Sequence, residues 1–295
     1  MTLGALGVWT FCDAMPAADA AAFARRVEEL GYAALWFPEA TGREALSAAA
    51  FLLASTSRLV VATGIANVYA RDPMTMAAGR STLAEQSGGR FVLGIGVSHR
   101  PLVEGIRGHD YSKPLEYMRA YLEKMAAALY TGPAAPEPAP VVIGALHPRM
   151  LELAAAETQG AHPYLVPPEH TAFARETMGP DAWICTEQKV LLETDAAKAR
   201  AVARRALGMY LALPNYRRSL RRFGFGDADL DGGGSDRLID AVVAWGDERA
   251  IAARIKAHHD AGANHVCIQP LHPDGAPLPD MRVLEAMAPR GSRPS

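Results

Sequence analysis

Arg58–Gly89 reads RLVVATGIANVYARDPMTMAAGRSTLAEQSGG. Leu59–Thr63 is a β-branched run of strand length, and Gly64 ends it. Asp72-Pro73 has the form of a helix start: an N-capping carboxylate followed by proline at the first helical position. The helix runs to Gln86, and Gly88-Gly89 stops it. A strand, a loop and a helix in that order make the repeating unit of a parallel α/β fold.

The same unit recurs on both sides. Upstream lie strand Leu3–Val8, a helix opened by Pro16 with Ala20, Phe23, Val27 and Leu30 at helical spacing, strand Ala33–Phe37, and a helix over Ala45–Ala54. Downstream, Phe91–Gly96 is the fourth strand, and Leu115, Met118, Tyr121, Leu122, Met125 and Leu129 mark one face of a helix. Gly132–Pro140 is a proline-rich connector, too short to join two domains. Val141–Gly144 is the fifth strand, before a helix over Pro148–Glu157. Tyr164–Val166 reads as a weak sixth strand and Ala182–Glu193 contains the seventh. Asp227–Asp236, DADLDGGGSD, reads as a mobile loop. A helix over Asp247–Ala261 precedes the eighth strand, His265–Gln269. Eight strands alternating with helices predict right-handed crossovers and a parallel sheet, and that number favours closure over an open sheet. The 295 residues suit one barrel, which takes about 250, so 1–295 is expected to be a single domain.

Bulk properties exclude several function classes. Hydrophobic residues are 49% and charged residues 21%, as in a folded core, and a net charge of −2 offers nucleic acid no global attraction. Three cysteines without a CxxC pair fit a reducing compartment. MTLGALGVWTF lacks the basic start of a signal peptide, and no stretch approaches the roughly 18 apolar residues of a membrane helix, so a cytoplasmic location is expected. GxGxxG after the first strand, GxxxxGK[ST], HExxH and GxSxG are absent. His258-His259 are neighbours on a helix and point apart, which suits a solvated face rather than a metal, and no metal site is expected.

In a barrel, the loops after the strands carry the chemistry. Trp9, Phe11 and Tyr69 lie at or near these tips and are the expected substrate-pocket walls; Trp36 reads as core, and His109 and Tyr111 are weaker candidates. Gly96, Val97 and Ser98 are small enough to let backbone N–H groups approach a ligand. Gly144, Ala145 and Leu146 precede a helix whose N-terminus would receive phosphate, with Arg149 adding charge. His99 and Glu39 are the candidates for proton transfer. The basic segment Pro214–Arg222 reads first as a solvated helix face.

Five blocks carry a family resemblance: GVWTF at Gly7–Phe11, ELGYAALWFPEA at Glu29–Ala40, TGIANVYARDP at Thr63–Pro73, SGGRFVLGIGVSH at Ser87–His99 and DAGANHVCIQPL at Asp260–Leu271. Over nearly the whole chain the sequence resembles the luciferase-like monooxygenase superfamily, in its deazaflavin branch that uses coenzyme F420. The resemblance implies a bacterial-luciferase-like (β/α)₈ TIM barrel and a homodimer. It implies hydride transfer between the deazaflavin C5 and a small organic substrate. It also implies a bulge with a non-proline cis peptide at Gly64-Ile65 behind the middle ring, with Ala66 beside it and Asn67 on the ring's polar edge. Relatives carry an acidic residue followed by histidine where this chain has Glu39-Ala40-Thr41, and some place a glutamate where it has His99. The Pro214–Arg222 arginines would face the cofactor's acidic tail. Two other readings stand beside this one: an FMN-dependent monooxygenase of the same fold, and a cofactor-free barrel that binds a ligand or a partner.

Overall fold

Eight parallel strands close into a barrel. They are β1 (Leu6–Trp9), β2 (Ala34–Phe37), β3 (Val60–Thr63), β5 (Phe91–Gly96), β6 (Val141–Ile143), β7 (Gly160–Ala161), β8 (Trp183–Leu192) and β10 (His265–Pro270). Closure is made by β10, which sets Cys267 opposite Gly7 of β1 and opposite Glu187 of β8. Two short strands complete the sheet: β4 (Ala66–Asn67) beside β5, and β9 (Val243–Gly246) beside β8. The structure is a computed structural model and describes residues 3–289. Met1, Thr2 and residues 290–295, which belong to the leader and single-domain readings, lie outside the described residues.

Side chains fill the barrel interior. Trp9, Ala34, Trp36, Ala62, Val92, Val142, Cys185 and Cys267 form one buried cluster inside the sheet. Small residues on β2 and β3 make room for the two indoles, the size alternation that packs a small barrel. Outside the sheet, helix residues such as Val27, Leu52, Met76, Met118 and Leu151 bury one stripe each against the strands. The Pro73–Gln86 helix starts as its sequence dictates: the Asp72 carboxylate accepts from the N–H groups of Met74 and Thr75.

Four readings change. The sixth strand is Gly160–Ala161 rather than Tyr164–Val166, which follows it in a loop where Leu165 takes φ 57°. Val243–Gly246 adds a strand that the sequence pattern did not signal. Asp227–Asp236 is not a bare mobile loop: it contains the helix Asp227–Leu230, and Asp227, Asp229, Asp231 and Asp236 pair with Arg217, Arg221, Arg237 and Arg204. His258 is not solvated. It is fully buried, with Nδ1 2.8 Å from Thr171 Oγ1 and Nε2 2.9 Å from Gln188 Oε1.

Candidate active site

The end of β3 decides the shape of one side of the barrel mouth. From Ala62 to Ala66 the chain advances four residues, while its partner β5 advances three, from Val92 to Ile95. The extra residue is a β-bulge. It falls at Gly64-Ile65, and the peptide bond between them is cis. Thr63 clamps the bulge from below: its hydroxyl donates to Gly94 O at 2.7 Å and accepts from Gly94 N–H at 2.9 Å. Trp9 Nε1–H donates to Gly64 O at 3.1 Å. Glycine is required at 64 on steric grounds, because a Cβ there would lie 2.7 Å from Trp9 Nε1 and 2.9 Å from His162 Nε2.

Gly96 and Gly144 serve the bulge first. A Cβ at Gly96 would lie 2.7 Å from Ile65 Cγ1, and one at Gly144 3.3 Å from Ile65 Cγ2, so both glycines make room for the Ile65 side chain. The Gly144 N–H is spent on Ile95 O at 2.8 Å. This corrects the reading of Gly144 as a phosphate donor and leaves Ala145 and Leu146 as the residues leading to the helix that starts at Pro148. Arg149 is exposed on that helix's first turn. His147 sits at its N-cap position without a side-chain capping bond, and its Nε2 lies 2.9 Å from Asn215 Oδ1, which docks the Pro214–Arg222 helix against it. That helix is not a wholly solvated face: Tyr216, Ser219 and Leu220 are buried.

Ala66 is fully buried in β4, and Asn67 follows it. Asn67 Oδ1 accepts from Tyr69 N–H at 2.9 Å, and this fixes the amide so that Nδ2 points the other way. Asn67 is fully buried, and its Nδ2 has no partner. Its backbone N–H donates to Glu39 Oε2 at 2.7 Å. The other Glu39 oxygen meets Ala45 N–H at 3.3 Å and the Arg71 guanidinium, which also pairs with Glu44 at 2.7 Å. The Glu39 carboxylate is thus occupied on both oxygens and ties the β2 loop to β4.

Beyond β5, Val97, Ser98 and His99 are half-buried. Ser98 takes φ 57°, a costly conformation for a non-glycine residue, and its carbonyl is held by the Tyr111 hydroxyl at 2.8 Å. His99 lies 5.2 Å, ring to ring, from Tyr216, and burial lowers its pKa. A π-helix, Pro101–Ile106, follows, a form common at functional sites. Tyr69 is buried and stacks on Tyr117 at 4.2 Å, with His109 and Tyr111 at 5.9 and 6.1 Å.

The other side of the mouth was missed from the sequence. Along β8, Cys185, Glu187 and Lys189 face inward, while Thr186 and Gln188 meet Thr171 and His258 outside. Lys189 Nζ donates to Glu187 Oε1 at 3.3 Å, and both side chains are buried. The second Glu187 oxygen accepts from Leu165 N–H at 3.0 Å. The ammonium sits 3.9 Å from the Tyr164 ring centre and 5.0 Å from that of Tyr210. Burial pushes the Glu187 pKa up and the Lys189 pKa down, each opposed by the other's charge. The Tyr164 hydroxyl is 2.8 Å from the Tyr210 hydroxyl and 2.9 Å from Gln269 Oε1. A hydroxyl has one proton, so Tyr164 donates to Gln269 and accepts from Tyr210. Trp9 joins the two sides: it packs on Phe11 at 4.9 Å and on Tyr164 at 5.0 Å while bonding the bulge. The signal for this wall was present in TEQKV, four polar residues inside a strand otherwise fit for burial.

A family model described as luciferase-like monooxygenase matches residues 1–265. The chain belongs to the luciferase-like monooxygenase family. Among curated relatives, a Mycobacterium tuberculosis (strain H37Rv) protein named for coenzyme F420-dependent oxidoreductase activity is 35% identical over 118 residues. That match covers 40% of this chain and 33% of the relative, so the chain spans about a third of that relative's length. Among solved structures, an F420-dependent secondary alcohol dehydrogenase in complex with an F420-acetone adduct superposes with TM-score 0.76 at 14% identity, over 97% of each chain. The FMN-bound oxygenating constituent of 3,6-diketocamphane monooxygenase from the CAM plasmid of Pseudomonas putida does so with TM-score 0.71 at 14% identity, over 97% of this chain and 96% of that one. At these identities the two structures establish the luciferase-like barrel.

On this luciferase-like scaffold, Glu39, Gly64, Ile65, Ala66, Asn67 and Gly96 come together around the bulge. Trp9 and Phe11 stand next to it, and Tyr69 joins an aromatic group with His109 and Tyr111. His99 lies toward the Pro214–Arg222 helix instead, against Tyr216.

Proposed function

We propose that this protein is a coenzyme F420-dependent oxidoreductase that moves hydride between the deazaflavin and a small organic substrate. The observation that carries this reading is the fully buried, unpartnered Asn67 Nδ2 beside the Gly64-Ile65 bulge. A buried donor without an acceptor is costly, and the carbonyl-bearing edge of a flavin-type ring supplies the acceptor. The residues therefore fit such a group. When bound, the deazaflavin supplies two-electron hydride chemistry at C5.

The chain's own residues do the rest. Ile65, held in place by Gly96 and Gly144, backs the ring. Glu39 keeps Asn67 and Arg71 in position. Ala145, Leu146 and Arg149 lie where the phosphate would reach the helix N-terminus. Trp9, Phe11 and Tyr69 wall the substrate and exclude water. His99 enters as neutral imidazole, because burial lowers its pKa. It takes a proton from a substrate hydroxyl in one direction and returns it in the other.

Fluorescence titration of the purified protein with F420 and with FMN tests the reading. It predicts tighter binding of F420. Tight FMN binding without F420 binding supports the monooxygenase reading instead, and binding of neither supports a cofactor-free barrel.

A further inference from the structure

Besides the Tyr69 hydroxyl, three donors on the bulge side of the mouth are buried and have nothing to donate to: Asn67 Nδ2, Arg71 Nη1 and Arg107 Nε. All three residues are anchored on one dipeptide. The Asn67 N–H and the Arg71 guanidinium meet the Glu39 carboxylate, and Arg107 Nη2–H donates to Ala40 O at 3.1 Å. Arg71 is charge-compensated by Glu39 and Glu44. Arg107 makes no ion pair among the described residues. An unpaired donor on a charged group is among the most expensive things a fold can bury.

The path of Arg107 shows what it covers. Its backbone N–H closes the π-helix onto Leu102 O at 3.0 Å, in the loop after β5. Its guanidinium ends on the loop after β2. The sheet order is β2, β3, β5, so the side chain spans the end of β3, where the bulge lies.

We propose that Arg107 is a charge-setting residue: with Asn67 it receives an electron-rich, anionic ring edge, so the pocket prefers the reduced cofactor to the oxidised one. This rests on the deazaflavin reading above. Hydride carries one proton and two electrons, so its arrival lowers the ring's net charge by one. The carbonyl–nitrogen edge holds that charge, and a cation over this edge favours the reduced form. A guanidinium does not give up its proton in proteins, so Arg107 sets charge and leaves proton transfer to another group.

Anaerobic titrations of wild type, Arg107→Met and Arg107→Lys with oxidised and with reduced F420 test this, with circular dichroism as the folding control. Wild type should bind the reduced form about tenfold or more tighter than the oxidised form. Arg107→Met should lose that preference while its affinity for oxidised F420 stays within about threefold, and Arg107→Lys should keep most of it. Equal preference in wild type and Arg107→Met overturns the proposal, as does wild type binding both forms equally. If wild type binds neither form, the deazaflavin reading falls and takes this one with it. If wild type binds only FMN, the cofactor reading falls alone, and the same comparison with oxidised and reduced FMN decides Arg107.

Discussion

The two sides of the barrel mouth are built on opposite principles. The bulge side, from β2 to β5, is held by side-chain-to-backbone hydrogen bonds, the Glu39–Arg71 ion pair and steric fit, and keeps donors unpaired, among them Asn67 Nδ2, Arg71 Nη1 and Arg107 Nε. The far side, from β7 to β10, pairs its charged and tyrosine groups with each other: Lys189 meets Glu187, Glu187 meets Leu165, and Tyr210, Tyr164 and Gln269 form a chain. The first wall leaves amide and guanidinium donors unpaired, whereas in the second the unpaired group is the buried Nε2 of His162, just after β7. On the proposed reading, the bulge wall takes the cofactor and the far wall faces the substrate.

Breaking the ion pair of the far wall should have the largest effect on stability. Lys189→Met leaves the Glu187 carboxylate buried and unpaired and should cost about 3–5 kcal/mol in denaturant unfolding. Glu187→Met with Lys189→Met should recover most of that loss, since no lone charge remains. If the single variant is as stable as wild type, the pair is not the closed unit described here. On the bulge side, Gly64→Ala pushes a methyl group into Trp9 and His162. It should cost about 1–3 kcal/mol and weaken cofactor binding more than it weakens the fold.

Acid should loosen the barrel beneath the bulge. His162 and His265 are held down to about 4, chiefly by burial. The unfolded chain's histidines titrate near 6.5, so below that pH the unfolded state binds more protons and stability falls. The contribution is fully present above about pH 6.5 and is lost progressively as pH falls toward about 4, readable as a falling thermal midpoint. A flat midpoint across that window would count against these buried imidazoles. The smallest effect belongs to Asp72→Ala, which removes the helix cap after the bulge: the thermal midpoint should fall slightly at neutral pH, and that loss should shrink in acid as the wild-type carboxylate, its pKa lowered by its bonds to Thr75 and Met74, becomes protonated.

The bulge itself was legible because it is one continuous segment. Thr63, Gly64, Asn67 and Asp72-Pro73 each carry a local signal, and the cis bond lies at Gly64-Ile65, where the resemblance places it. The far wall was not legible. Tyr164, Glu187, Lys189, Tyr210 and Gln269 come from four separated segments and meet only when the barrel closes. The same reason hid the partners of Asp227–Asp236, whose arginines lie as far away as Arg204. Gly96 and Gly144 were read toward a ligand, although their nearest need is room for Ile65, a contact that requires the bulge to be known.

The central claim is that Asn67 Nδ2 waits for a ring acceptor, and Asn67→Asp tests it most directly. The substitution keeps the oxygen that receives Tyr69 N–H and replaces the free donor with a second acceptor. By fluorescence titration, F420 affinity should fall about 30- to 100-fold, as when a buried hydrogen bond becomes a clash of acceptors. Unchanged F420 affinity in a folded Asn67→Asp protein would contradict the account.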